Sequence, residues 1–333
     1  MTIELLNDIL ALEDADQTIL NRIWKESDNS LITEADLPQR WRTFSVDPEK
    51  DYAEQWLEGL KWAASEVLRL HGAGERPPHM GGDKWREPPS VENLIRGQER
   101  ELLKCTRLLL DPPVFEPARE GAVLCADTMQ KDTGLWDYPR GLRVERDEEN
   151  GTTWCGKTTG LKWNPKPTSG TWLWLKEEMP DTFSFSQRFK TLEGMDSGAL
   201  LIMAFAAAPL DASTDWEHAS GPGMGYYFNY FDAYHFSVSR AGTGFCNLRR
   251  CGPGLIMLAS GSDPAEDLDR WYETRIVKDC GAIDLYVDGV LCSSYLDIGS
   301  LTPRLKTGRI GFRHVQIYKG CHRDVRVIEL KQH

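Results

Sequence analysis

The sequence lacks the long hydrophobic run that a membrane-spanning helix requires. No stretch of about 18 apolar residues is present. The N-terminus, MTIELLNDILALEDADQ, has acidic residues within its apolar stretch, where a signal peptide would have a basic start and a small-residue cleavage site. We therefore expect a soluble, cytoplasmic protein with no membrane partner.

An excess of positive charge is also missing. The chain has 39 Lys and Arg against 51 Asp and Glu, a formal net charge of -12. Because nucleic-acid backbones attract basic surfaces, this balance argues against a nucleic-acid partner. With 41% hydrophobic residues and 12 Trp, the chain has enough apolar side chains for a folded core.

Motifs for metals and common cofactors are scarce. The eight cysteines are scattered without CxxC pairs, so neither a zinc site nor a redox motif is indicated. There is no GxGxxG at a strand–helix junction and no GxSxG. We expect no metal, no cofactor and reduced thiols packed in strands, although Cys246 and Cys251 flank Asn-Leu-Arg-Arg and are spaced to bridge a hairpin under oxidation.

Helical spacing fills the first third of the 333 residues and predicts a helical N-terminal unit over residues 1–113. Asp47 and Pro48 suit the start of a helix that Gly72 ends, and a second helix begins near Ser90. The apolar residues of the first of these recur at steps of three and four: Tyr52, Trp56, Leu60, Ala63, Val67 and Leu70. Shorter helices are predicted around Ile3 to Leu12 and Gln17 to Trp24.

The period changes to two over residues 114–333. In Thr182 to Lys190, Phe and Gln alternate with Ser, Arg and Lys, as in a strand with one buried face. Asp288-Gly289 lies between two such runs and is a strong hairpin signal. Many short strands separated by turn residues predict a mainly β fold, a jelly-roll sandwich of two antiparallel sheets preceded by an α-helical unit.

Three segments carry a family resemblance: DAYHFSVSRAGTGFCNLRR (232–250), DRWYETRIVKDCGAIDLYVDG (269–289) and GRIGFRH (308–314). Over about residues 120–330 the chain resembles the YesU-like family, whose fold is concanavalin A-like, as in lectins and glucanases. The resemblance implies a curved double sheet with a carbohydrate-sized groove on its concave face, and it implies no particular reaction.

Hydrolysis of a glycosidic bond usually needs paired carboxylates aimed into one groove. The Glu-x-Asp-x-(x)-Glu triplet typical of lectin-like glucanases is not found, and Glu193 and Asp196 are the nearest approach. A spacing of three places these two acids on opposite sides of a strand. Hydrolysis is therefore less favoured than a lyase mechanism.

Histidine, tyrosine and arginine together suit β-elimination from a uronic acid. Arginine neutralises the carboxylate and acidifies the neighbouring C–H, and histidine or tyrosine removes the proton. We predict His235, Tyr234 and Arg249 as catalytic residues. The predicted substrate-binding residues are Arg188, Tyr227, Asn229, Asn247, Arg313, His314 and Trp174.

Two alternatives stay open. The first is an aromatic pocket for an apolar small molecule, in which His235 or Arg249 assists a cyclase or isomerase reaction. It is suggested by the five aromatic residues that crowd positions 226–231. The second is a carbohydrate-binding module without catalysis. Clustered arginines on the groove floor would favour an acidic sugar, whereas an enclosed apolar cavity capped by the helical unit would favour the cyclase.

Overall fold

The computed structural model describes most of the chain in several stretches. They are residues 1–26, 52–73, 119–157, 170–194, 200–211, 230–238, 245–252, 255–265, 267–297 and 303–331, together with positions 216 and 227 and separate positions within 95–110.

The predicted helices are present where the structure describes the chain. They are α1 (Ile3–Leu10), α2 (Gln17–Glu26) and α3 (Tyr52–Ala73), and the described positions from 95 to 110 are helical as well. The Thr2 side chain caps α1 by accepting a hydrogen bond from the Leu5 backbone N–H at 3.2 Å. The predicted helix starts at Asp47 and Ser90, and the division at residue 113, lie outside the described residues.

Fifteen strands follow within the described residues. In chain order they are β1 (Glu120–Asp127), β2 (Trp136–Asp137), β3 (Glu145–Asp147), β4 (Gly151–Cys155), β5 (Gly170–Leu175), β6 (Thr182–Glu193), β7 (Leu201–Pro209), β8 (Phe231–Val238), β9 (Phe245–Cys251), β10 (Leu255–Ser262), β11 (Trp271–Asp279), β12 (Ala282–Val287), β13 (Val290–Leu296), β14 (Arg309–Val315) and β15 (Lys319–Leu330).

These strands form two antiparallel sheets, which confirms the predicted sandwich. Sheet A has the order β13-β12-β11-β6-β15-β4-β3, with β1 paired to β15. Sheet B has the order β10-β9-β8-β7-β14-β5-β2. The predicted Asp288-Gly289 turn joins β12 to β13, and both turn residues have positive φ, as such two-residue hairpins require.

The main hydrophobic core lies between the two sheets. Alternation along β6 directs Phe183, Phe185 and Phe189 inward, and Phe185 meets Phe312 of sheet B with ring centroids 5.6 Å apart. At one edge the sheets approach closely, because a Cβ added to Gly261 of β10 would lie 1.7 Å from the backbone oxygen of Cys292 in β13.

The helical unit packs on sheet A. Leu60 and Val67 of α3 belong to the same cluster of buried side chains as Val277, Tyr286 and Leu291 of β11 to β13. These strand residues face away from the inter-sheet core, so the helices cover the outer face of sheet A. None of the helices that the structure describes is long and apolar enough to cross a membrane.

The crowded aromatic segment is helical at Tyr227 and Tyr230, and β8 begins at Phe231. One local expectation needs correction. Cys246 and Cys251 lie on the single strand β9, so they cannot bridge a hairpin, and all eight cysteines are free.

Candidate functional site

The outer face of sheet B brings together most of the polar residues singled out in the sequence. His235 lies opposite Arg249 in the β8–β9 register, Ser237 lies opposite Asn247, and Arg313 of β14 lies opposite Trp172 of β5. Because side chains two residues apart share a sheet face, all of these groups project to the same side, away from the core.

Aromatic rings cover much of this face. Trp172 and Trp174 stack with centroids 4.3 Å apart, and Tyr227 lies 4.6 Å from Trp172. Two glycines make room: a Cβ at Gly311 would lie 2.3 Å from the Trp174 ring, and a Cβ at Gly170 would lie 2.6 Å from Nε of Arg313. Glycine therefore occupies the two sheet positions over which the side chains of Trp174 and Arg313 lie.

His235 is fully buried in this cluster. Its Nδ1 lies 3.1 Å from Sγ of Cys251, and its Nε2 has no hydrogen-bond partner among the described residues. Burial lowers the pKa of His235 well below its usual value, and the charges of Arg249 and Arg313 lower this pKa further. The imidazole is therefore neutral at pH 7.

Two arginines supply the positive charge of the face. Burial lowers the pKa of the Arg313 guanidinium to about 10, which still leaves it charged at pH 7, and its Cζ lies 5.7 Å from the centre of the Trp172 ring. Arg249 is half-buried and donates from Nη1 to Oγ of Ser237 at 2.6 Å. Asn247 is buried beside them.

Tyr234, predicted to act with His235, is on the other side of the sheet. It lies in the inter-sheet core, its hydroxyl donates to Asp297, and it accepts a hydrogen bond from the Leu305 backbone N–H at 3.1 Å. Burial and the neighbouring Asp297 raise the pKa of Tyr234. A catalytic role beside His235 is incompatible with this orientation, because adjacent residues of a strand point to opposite faces.

Arg188 and His314 are also separated from the outer face of sheet B. Arg188 lies on sheet A with its Cζ 5.8 Å from the centre of the Trp271 ring. His314 points into the core, one residue beyond the outward Arg313. Asn229 lies outside the described residues. Of the predicted residues, His235, Arg249, Asn247, Arg313, Trp174 and Tyr227 are brought together.

His314 belongs to a buried polar chain inside the sandwich. Its Nδ1 lies 3.0 Å from the carbonyl oxygen of Trp154, and its Nε2 lies 2.8 Å from Nε2 of His322. Nδ1 of His322 lies 2.6 Å from Oε1 of Gln187. Burial lowers the pKa of His314 well below its usual value, with His322 adding to the effect, and burial lowers the pKa of His322 to about 3. Close polar contacts thus link these groups within the core.

A phosphate-loop spacing occurs at 151–158, where the sequence reads GTTWCGKT. In the structure Gly151–Cys155 is strand β4, paired with β15 and β3, so these residues do not form the loop before a helix that cradles phosphate. A cavity of about 560 Å³ adjoins this strand and is lined in part by Arg143, Lys157 and Lys319. No cluster of three His, Cys, Asp or Glu suited to a metal ion occurs among the described residues.

Comparison with known proteins gives the family. Residues 160–327, about half of the chain, match the family described as "Domain of unknown function (DUF1961)". The chain belongs to the DUF1961 family. The uncharacterized protein YesU of Bacillus subtilis (strain 168) is 29% identical over 169 residues, which are 46% of this chain and 75% of that protein. The predicted YesU-like membership is thereby confirmed.

One solved structure supports the fold of this DUF1961 protein. A Bacillus subtilis protein of unknown function with a galectin-like fold superposes with a TM-score of 0.53 and 23% identity, covering 64% of this chain and 99% of that chain. A beta-glucanase from Bacillus licheniformis superposes with a TM-score of 0.40 and 12% identity, covering 63% of this chain and 99% of that chain. The first superposition bears on the fold alone, and the second has too low a TM-score to support an argument.

The DUF1961 chain has site residues that sequence reasoning did not select. Trp172 was available, because it precedes Trp174 by two residues and must share its face. Cys251 gave no such signal: it ends β9, and only the pairing of β9 with β8 brings its sulfur next to His235.

Proposed function

We propose that this DUF1961 protein has a carbohydrate-related function and binds an acidic saccharide on the outer face of sheet B. The observation that carries the proposal is the grouping of Arg249, Arg313 and His235 on one sheet face among stacked tryptophans.

Charge is the first support. The chain has a net charge of -12, yet two guanidinium groups flank His235 on this face, and one of them is fully buried. A uronate carboxylate matches the fork of an arginine in both charge and shape.

Hydrogen-bonding capacity is the second support. Nε2 of His235, Nε1 of Trp172 and Nε1 of Trp174 are buried and have no partner among the described residues. Buried polar groups are normally hydrogen-bonded, so such atoms call for a partner. Sugar hydroxyl and carboxylate oxygens supply such partners, and indole rings pack against the C–H faces of a sugar.

The position of the helical unit bears on the cyclase or isomerase alternative. That alternative expected an apolar cavity capped by the helices. Leu60 and Val67 pack instead with residues of sheet A, on the opposite side of the sandwich from His235. Together with the arginines, this arrangement favours the acidic saccharide.

β-Elimination is a second candidate, favoured by the neutral state of His235 beside two cations. In this reaction a base removes the proton next to the carboxylate, the C–H electrons form a C=C bond, and the C–O bond breaks, so that the leaving oxygen takes a proton. His235 acts as the base only if its Nε2 carries no proton. Hydrolysis is less favoured, because Asp137, an acid at the edge of this face, is engaged by Arg309 at 2.9 Å.

Calorimetric titration with uronic-acid oligosaccharides tests the proposal. We expect Arg249→Ala to weaken binding by about tenfold or more, because a charge-assisted hydrogen bond contributes about 1.5–3 kcal/mol. Arg275→Ala is a matched control, since Arg275 is a half-buried arginine of sheet A paired with Glu120. Equal affinity for neutral oligosaccharides, or no effect of Arg249→Ala, would contradict the proposal.

The same mixtures distinguish the two candidates. An unsaturated uronate absorbs ultraviolet light, so absorbance that grows with wild type and disappears with His235→Gln identifies elimination. Binding without any new absorbance identifies a saccharide-binding protein that does not catalyse this reaction.

A further inference from the structure

The contact between Cys251 and His235 determines what His235 can do. Sγ of Cys251 lies 3.1 Å from Nδ1 of the imidazole, and both side chains are fully buried. Burial raises the pKa of the thiol and lowers the pKa of the imidazole, so both groups are neutral and a single proton lies between them. Either the thiol donates to Nδ1, which leaves the imidazole proton on Nε2, or Nδ1–H donates to sulfur, which leaves Nε2 bare.

The hydrogen-bonding strengths of the two groups favour the first arrangement. A thiol sulfur is a weak acceptor and an imidazole nitrogen is a strong one, so donation from Cys251 S–H to Nδ1 of His235 is preferred over donation from Nδ1–H to sulfur. Tyr227 lies in the same buried cluster, with its ring 5.8 Å from the His235 ring.

We propose that Cys251 is a positioning residue that holds His235 with its proton on Nε2, so that His235, Arg249 and Arg313 present N–H donors to a ligand carboxylate. The ligand half of this inference rests on the proposed function. The tautomer does not, because it follows from contacts within the protein.

A sheet face that presents three N–H donors prefers ligands with negatively charged oxygen atoms. Imidazole N–H and two guanidinium groups all stabilise negative oxygen, and a carboxylate has two such oxygens with lone pairs to accept from them. An Nε2–H group is a donor in the resting protein and takes no proton from carbon. The inference therefore favours carboxylate binding over elimination with His235 as the base.

Nuclear magnetic resonance of protein labelled with ¹⁵N-histidine tests the tautomer in the full chain without ligand. We expect long-range ¹H–¹⁵N spectra to show His235 protonated at Nε2 in wild type and in Cys251→Ser, whose hydroxyl also donates to Nδ1. In Cys251→Ala the donor to Nδ1 is removed, and we expect the resonances to shift towards exchange between both tautomers. We also expect about tenfold weaker binding of a trigalacturonate probe to Cys251→Ala.

The outcomes separate the two claims. A wild-type His235 protonated at Nδ1, with trigalacturonate binding intact, overturns this inference and leaves the proposed function standing. Nε2 protonation without affinity for any uronate overturns the ligand and the proposed function together. Identical spectra and affinities for Cys251→Ala and wild type show that Cys251 has no positioning role. Melting temperatures of both variants show whether a loss of binding reflects unfolding.

Discussion

The buried histidines give the protein a specific sensitivity to acid. His235, His314 and His322 are fully buried, and the pKa of each lies below the ordinary value of 6.5. In the unfolded chain each would take up a proton near pH 6.5. Their contribution to folding stability is therefore complete above pH 6.5 and is lost progressively as the pH falls below it.

We expect the free energy of unfolding to fall between about pH 6.5 and 5, by at most ~1.4 kcal/mol per pH unit for each of the three histidines. Urea unfolding at several pH values measures this slope. His322→Gln should flatten it, whereas His71→Gln should not, because His71 is exposed at the end of α3. An identical slope in wild type and His322→Gln would contradict the assignment.

At the residue scale, strand alternation separates His235 and Ser237 from Tyr234 and Phe236, and the structure places the two pairs on opposite faces of sheet B. Alternation does not show that a polar residue is buried. His314 and Gln187 point into the core, where both contact His322, and Gln187 lies 135 residues from His322 in sequence. A single-sequence pattern has no signal for such a long-range contact.

At the element scale, strands and helices were correctly predicted where the hydrophobic repeat continues over many residues. Ala282–Val287, Val290–Leu296 and α3 follow from hydrophobic period and turn chemistry. Tyr and Phe have high strand propensity, yet Tyr227 and Tyr230 before β8 are helical. Tertiary packing of Tyr227 on Trp172 overrides that local preference.

The close approach of β10 to β13 leads to an element-scale prediction. We expect Gly261→Ala to destabilise the protein by about 1–3 kcal/mol, because the added Cβ would overlap the backbone of Cys292 and force the two edge strands apart. Chemical denaturation measures the loss.

Gly72→Ala is the control for that substitution. Gly72 lies in the last turn of α3, its added Cβ would meet nothing within 4 Å, and alanine favours helix by up to about 1 kcal/mol. Equal stability changes in the two variants would show that the approach at Gly261 is not tight.

At the scale of the whole molecule, the helical unit is placed to support sheet A and not to cover the candidate site. Leu60 is fully buried in the cluster that joins α1 and α3 to β11 to β13. We expect Leu60→Ala to lower the free energy of unfolding by about 2–5 kcal/mol, since it leaves a cavity in this interface.

Saccharide binding to Leu60→Ala should be unchanged at temperatures where the variant is folded, because the helices and His235 lie on opposite sides of the sandwich. The exposed neighbour Glu58 on α3 serves as control, and Glu58→Ala should change stability by no more than about 0.5 kcal/mol. Weaker binding by the folded Leu60→Ala variant would indicate that the helices contribute to the site.

The contact between Gly261 and Cys292 also bears on how the molecule opens. A sandwich whose sheets are separate along both sides can lose one sheet while the other persists. Here the edge strands of the two sheets touch, so one of them cannot leave without exposing the other. In native-state hydrogen exchange we therefore expect the amides of β9 and β10 to open together with those of β12 and β13, as one cooperative unit drawn from both sheets.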